Sequence, residues 1–141
     1  MQTRPILAAL ALAAPVLGGA AQAQDLFARA QTAADADDVY FIAQLQVDDM
    51  EAFQTRYVPD TAVKLGETSA LVLAVTPEPV VIEGEWTSNW TVLMRFEDMA
   101  DFEAFYEGAD YQERLIPERL GAASVNNVVV LPAFDPAVFG G

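Results

Sequence analysis

The stretch Val81–Leu120, VIEGEWTSNWTVLMRFEDMADFEAFYEGADYQERLIPERL, decides how the rest of this chain is placed. Its middle, Asn89 to Phe96, is an unbroken run of strand-favouring residues that stops at Glu97-Asp98, an acidic pair of the kind that opens a helix. Helical spacing follows at once. Met99, Phe102, Phe105 and Tyr106 form a wide apolar stripe, with Asp98 placed to cap it and Gly108 to stop it. Ahead of the strand, Val80 to Ile82 runs extended toward Gly84 and Trp86, which predicts a hairpin with Asn89–Phe96. The stretch therefore reads strand, turn, strand, helix, with Asn89–Phe96 central in a sheet.

Working outward to the N-terminal side, Ser69 to Thr76 is a Leu- and Val-rich strand. Pro77 and Pro79, around Glu78, cannot donate to a central ladder and mark an edge or connection. Asp48 to Lys64 begins with two acids that a helix N-terminus favours and carries Met50, Phe53, Tyr57 and Val58 at helical spacing. It should kink or restart at Pro59 and end at Gly66. Val39 to Val47 alternates. Phe41, Ala43, Leu45 and Val47 make an apolar face that should meet helices, whereas Tyr40, Ile42, Gln44 and Gln46 make a mixed face suited to a second sheet or to a cavity with a few polar groups. To the C-terminal side, Asp110 to Leu120 is helical with an interruption at Pro117, Ser124 to Leu131 is a last strand, and Pro132 to Gly141 has no periodic pattern.

The order strand, helix, strand, strand, helix, strand defines an α+β, ferredoxin-like βαββαβ domain: an antiparallel sheet with the helices on one face. The other face would hold Tyr40, Ile42 and large residues of the third strand. That surface is too apolar to leave in water, so a second copy of the chain is expected to cover it and form a homodimeric α/β barrel.

Residues 1–23 combine a basic Arg4, an apolar run from Ile6 to Leu17 and the small-residue ending Ala21-Gln22-Ala23. The run is about a dozen residues, short of the ~20 that a spanning helix needs, so it reads as a secretory signal cleaved between Ala23 and Gln24. A periplasmic or secreted protein with no membrane insertion after cleavage is expected. Residues 24–38 then form a short amphipathic helix (Asp25 to Ala34) and an acidic linker, 39–132 the domain, and 133–141 a tail. Losing the leader removes one arginine and no acid, so the net charge moves from −14 to −15. Such a surface repels phosphate backbones and anionic head groups, which argues against nucleic acid as a partner. The chain has no cysteine and no histidine. Thiolate chemistry, His-based triads and His-ligated metals are thereby excluded, and no cofactor or metal is expected. The clusters Asp48-Asp49-x-Glu51 and Asp35-x-Asp37-Asp38 lack calcium-loop spacing.

Glu83-Gly84-Glu85-Trp86, the valine-rich strand ending in Phe96, the helix through Phe105-Tyr106 and then Asp110-Tyr111-Gln112 resemble, in this order, the bacterial family catalogued as domain of unknown function 1330. The resemblance spans about Val39 to Leu131. It implies the ferredoxin-like fold and face-to-face dimerisation of the dimeric α/β-barrel superfamily, and it brings no established reaction. The chain departs from the family where members pair two glycines after the first helix (here Gly66-Glu67) and where they end the second strand on a basic residue (here Ala74-Val75-Thr76).

Six residues are candidates for a ligand site: Tyr40, Gln44, Trp86, Trp90, Arg95 and Tyr111. Trp86 and Trp90 bracket a polar turn and line either the barrel or a core or interface. Arg95 lies in an otherwise apolar strand and needs a carboxylate, expected across the dimer, or else an anionic ligand. Tyr111, with Gln112, matches the family motif, where the tyrosine closes the helix over the sheet. Arg119 is expected to form a surface pair with Glu113 or Glu118, and the glycosylation sequon Asn89-Trp90-Thr91 sits at a strand start and is read as chance. No catalytic residue stands out. Three functions fit: an exported dimer holding a small, mainly apolar molecule between its two sheets, an enzyme resembling cofactor-independent monooxygenases or small isomerases acting on a small aromatic substrate, and a structural dimer with a filled barrel.

Overall fold

A computed structural model describes residues 37–139 and, before them, residues 21, 22, 24–26, 28 and 29, which are helical. The leader, the Asp25–Ala34 helix and the start of the acidic linker lie largely outside the described residues. Four strands make one antiparallel sheet: β1 (Val39–Val47), β2 (Leu71–Thr76), β3 (Trp90–Phe96) and β4 (Ala123–Leu131), in the order β2-β3-β1-β4. β1 and β3 are central, each paired on both of its edges. Between β1 and β2 lies α1, built of Met50–Ala52, Phe53–Tyr57 and Val58–Leu65. α2 (Met99–Tyr106) follows β3, and α3, built of Tyr111–Leu115 and Ile116–Ala122, leads into β4. The domain is therefore βαββαβ and ferredoxin-like.

Strand alternation sets the two faces. Phe41, Ala43, Leu45 and Val47 are all 5% exposed or less and pack with Phe53, Phe96, Phe102, Phe105 and Leu115, so the helices cover this side. The β1–β3 register pairs Tyr40 with Arg95, Ile42 with Leu93 and Gln44 with Thr91, which puts these six on the opposite face together with Val129 and Leu131 of β4. Asp49 and Asp98 cap α1 and α2, their carboxylates accepting from Ala52 N at 3.0 Å and from Asp101 N at 2.7 Å. Gly66 ends α1 without leaving right-handed φ/ψ.

Each long helix is widened ahead of its proline. Pro59 and Pro117 carry no N–H, and in the turn before each the backbone bond lengthens by one residue: Val58 N–H reaches Phe53 O, and Ile116 N–H reaches Tyr111 O. The two π segments fall on matching sequence, Phe53-Gln54-Thr55-Arg56-Tyr57-Val58-Pro59 and Tyr111-Gln112-Glu113-Arg114-Leu115-Ile116-Pro117.

Two expectations change. The predicted hairpin strand at Val80–Ile82 is absent. Residues 77–89 are a connection, Val80 and Ile82 are 86% and 85% exposed, and β3 pairs instead with β2. Pro77 and Pro79 supply no donors, and Gly84 turns the chain at a φ of 79°, where a residue with a Cβ is strained. The acidic linker is also not wholly solvated. Asp38 is 2% exposed and accepts from Arg95 Nε at 2.6 Å.

Candidate functional site

A cavity of about 210 Å³ lies inside the single chain, on the helix-covered side of the sheet. Its floor is the inward set of the sheet: Phe41, Ala43 and Leu45 of β1 and Trp90, Val92 and Met94 of β3. α1 roofs it with Tyr57, Val58, Thr61, Ala62 and Leu65, and Phe105 and Tyr111 close one end. Val72 and Val75 of the edge strand complete the wall and are half exposed, so the cavity opens beside β2. Tyr57 and Thr61 are four residues apart on one helix and thus share a face.

Behind that end sits a buried polar group. Tyr57 and Tyr111, 8% and 2% exposed, bring their hydroxyls to 2.9 Å, and Arg119 Nη1 donates to the Tyr111 hydroxyl at 3.2 Å. Arg119 is 4% exposed, and among the described residues no carboxylate pairs with it and its Nε has no acceptor. The surface pair expected for Arg119 is replaced by this inward position. Pro117 starts a new turn that aims the side chain at Tyr111, eight residues back, rather than at water. Burial opposes the Arg119 charge, but the oxygens of Tyr111, Tyr57 and Tyr106 more than offset it and hold the group above its usual value. Burial also lifts the Tyr111 phenol well above its usual value, so the hydroxyl stays protonated and can donate. The rings are fixed by aromatic contacts: Phe53 stacks on Tyr57 at 5.0 Å and meets Trp90 edge-on at 5.3 Å, while Phe105 lies 4.5 Å from Tyr111.

On the outer surface, α1 and α3 are tied by a charged chain. Arg114 donates to Asp110 from Nε and Nη2 at 2.9 and 3.0 Å and also pairs with Asp60, and Lys64 lies 3.7 Å from Asp110. The Arg114 hydrogen bonds hold the Asp110 carboxyl below its usual value.

Of the six predicted site residues, the structure brings two together. Trp90 and Tyr111 line the cavity; Tyr40, Gln44 and Arg95 lie on the opposite face, and Trp86 is 43% exposed in the 77–89 connection. Arg95, expected to seek a carboxylate across the dimer, pairs with Asp38 of its own chain. Gln44 is held among polar neighbours: its Oε1 accepts from Asn127 Nδ2 at 3.1 Å and its Nε2 donates to Thr87 O at 3.4 Å. Trp86 Nε1 donates to Thr91 Oγ1 at 3.2 Å. Asn89, read as part of a chance sequon, extends the β1–β3 ladder with its side chain, accepting from Val47 N at 2.7 Å and donating to Val47 O at 2.8 Å. Tyr57, Thr61 and Arg119 were missed as site residues. The repeated aromatic-Gln-x-Arg segment before Pro59 and Pro117 is the sequence signal that points to them, because Thr61 and Arg119 stand at its equivalent positions two residues after each proline. Among the described residues no group of three or more acidic, His or Cys side chains could hold a metal, and no helix is long and apolar enough to cross a membrane.

This arrangement defines a ferredoxin-like α+β domain with an apolar cavity between sheet and helices. The chain belongs to the family described as a domain of unknown function, DUF1330, whose model matches residues 38–133. Among solved structures it is similar to a protein of unknown function from Rhodopseudomonas palustris, with a TM-score of 0.59 at 13% identity over 80% of this chain and 95% of that one. It is also similar to SnoaB, a cofactor-independent oxygenase from Streptomyces nogalater, with a TM-score of 0.51 at 13% identity over 71% and 96%. At such identity the likeness concerns the fold alone. No protein of curated function matches the sequence.

Proposed function

We propose that this protein is an exported homodimer in which each chain binds one small, mainly apolar molecule in the cavity under α1. The observation that carries the reading is the cavity itself, about 210 Å³ with a wall of aliphatic and aromatic side chains broken only by Tyr57, Thr61 and Tyr111. The ligand is thereby moved from the space between two sheets to the helix side of one. The bare sheet face serves association: Leu71, Leu73, Val129 and Leu131 are each about half exposed there or at its edge, an apolar surface suited to a second copy. The leader motif at residues 1–23 supports export.

An enzyme of the oxygenase or isomerase kind would need a proton acceptor at the cavity wall. The wall holds no carboxylate, and Tyr111, its phenol raised by burial, is no base near neutrality. Binding without turnover is the better fit. Native mass spectrometry of the purified protein tests the reading. The expected result is twice the mass of the chain lacking residues 1–23, with a further small mass per chain that is lost on denaturation or gained on adding an apolar compound. A monomer that neither retains nor takes up a small molecule would sink it.

A further inference from the structure

Three side chains around the cavity carry a hydroxyl, yet the wall shows the interior almost no polar surface. Tyr57 and Tyr111 close their hydroxyls on each other at 2.9 Å, with Arg119 donating to Tyr111 behind them. Thr61 Oγ1 is fully buried, so it does not open on the space. What remains is aliphatic and aromatic, with Phe41, Leu45, Val92, Met94 and Phe105 around a volume of about 210 Å³. A hydroxyl, amine or carbonyl that enters such a space leaves its water partners and finds no replacement, whereas a hydrocarbon group has no such partners to lose. A charged group is excluded more strongly still. The wall therefore discriminates by the partners it withholds.

We infer that the ligand is an uncharged hydrocarbon with no hydrogen-bonding group, about the size of a substituted benzene. Apolar cavities of ~150 Å³ stay dry and take one benzene, so a volume of about 210 Å³ has room for roughly two carbons more. The mouth has the same character, being flanked by half-exposed Val72 and Val75. This inference rests on the binding reading above and adds the chemical class of the ligand.

The test is a matched pair of probes, o-xylene and o-cresol, which differ only in a methyl exchanged for a hydroxyl, each titrated into the purified protein by calorimetry. o-Xylene should bind the more tightly, by about tenfold beyond the ratio that the two show between water and octanol, because octanol can hydrogen-bond the hydroxyl and this wall cannot. Ala43→Leu fills the space from its floor and should abolish o-xylene binding; if that variant does not melt cooperatively, Ala62→Leu fills it from the roof. A preference no greater than the octanol ratio would overturn the hydrocarbon class and leave the cavity reading standing. o-Xylene that fails to bind, or that binds the filled variant unchanged, would overturn both.

Discussion

Arg119→Met separates a group kept for the fold from one kept for the site. The side chain is 4% exposed, donates to the Tyr111 hydroxyl with Tyr57 and Tyr106 close by, and pairs with no carboxylate among the described residues. Removing a guanidinium from water costs several kcal/mol even after relaxation, and a hydrogen bond from a charged donor returns about 1.5–3 kcal/mol. Methionine fills much of the same volume and keeps the aliphatic stem against its neighbours, so no large void is left. Tyr111 loses a donor to its oxygen but still pairs with Tyr57. The desolvation cost and the return from the tyrosine oxygens nearly cancel, so the variant should stay within about 1 kcal/mol of the wild type, which for a urea slope of about 1–3 kcal/mol/M moves the unfolding midpoint by no more than roughly 0.3–1 M. Equilibrium urea unfolding by far-UV circular dichroism, at one protein concentration for both proteins because association adds stability, reads this directly. A midpoint that falls by the equivalent of 3 kcal/mol or more would show that Arg119 holds the core together, and the reasoning from desolvation would be wrong.

Phe53→Ala should destabilise by about 3–5 kcal/mol, because the ring is 0% exposed and contacts both Tyr57 and Trp90; thermal unfolding checks it, and a loss below ~1 kcal/mol would mean the site collapses freely. Asp110→Asn tests the outer charged chain. The folded carboxyl lies below its usual 3.8, so the wild type's advantage should be full above pH ~4, vanish as pH falls through the lowered value, and shrink in high salt; an advantage that persists in acid would refute the assignment. Leu131→Lys, placed on the bare sheet face, should halve the mass seen by light scattering, and a variant of unchanged mass would move the interface elsewhere.

Strand faces were legible because alternation along β1 has a single physical solution: the set Phe41, Ala43, Leu45, Val47 has to be the buried one. Helix starts were legible for a similarly local reason, an acid whose carboxylate reaches the third residue of its own helix. What could not be read depends on partners far along the chain. Asp38 looks like part of a solvated acidic run until Arg95, on the third strand, is folded beside it. Arg119 follows Glu118 in an apparently polar turn, and only its meeting with Tyr111 and, through it, Tyr57 makes it interior. The extended reading of Val80–Ile82 failed because local β-propensity was weighed above the donors that Pro77 and Pro79 cannot supply.

The side of the sheet on which the cavity lies has a consequence for how the protein's two surfaces relate. Adjacent strand residues point to opposite faces, so Trp90 and Thr91, neighbours in sequence, belong to different surfaces: one floors the cavity, and the other joins Gln44 on the bare face. A ligand held between two sheets would need both chains to complete its site, and binding would then depend on association. The cavity lies on the other side of the sheet from that space, with α1 and β2 flanking its mouth. The floor strands β1 and β3 are also the two central strands of the bare face, so any coupling between ligand and dimer passes through the positions of their backbones and not through shared side chains. The two π segments sit where that coupling is most adjustable. Each ends one turn before Thr61 or Arg119, and each has a widened turn whose hydrogen bonds can slip by one residue without breaking the helix. On the proposed reading, binding and association would be separable properties of one sheet, joined only through its thickness.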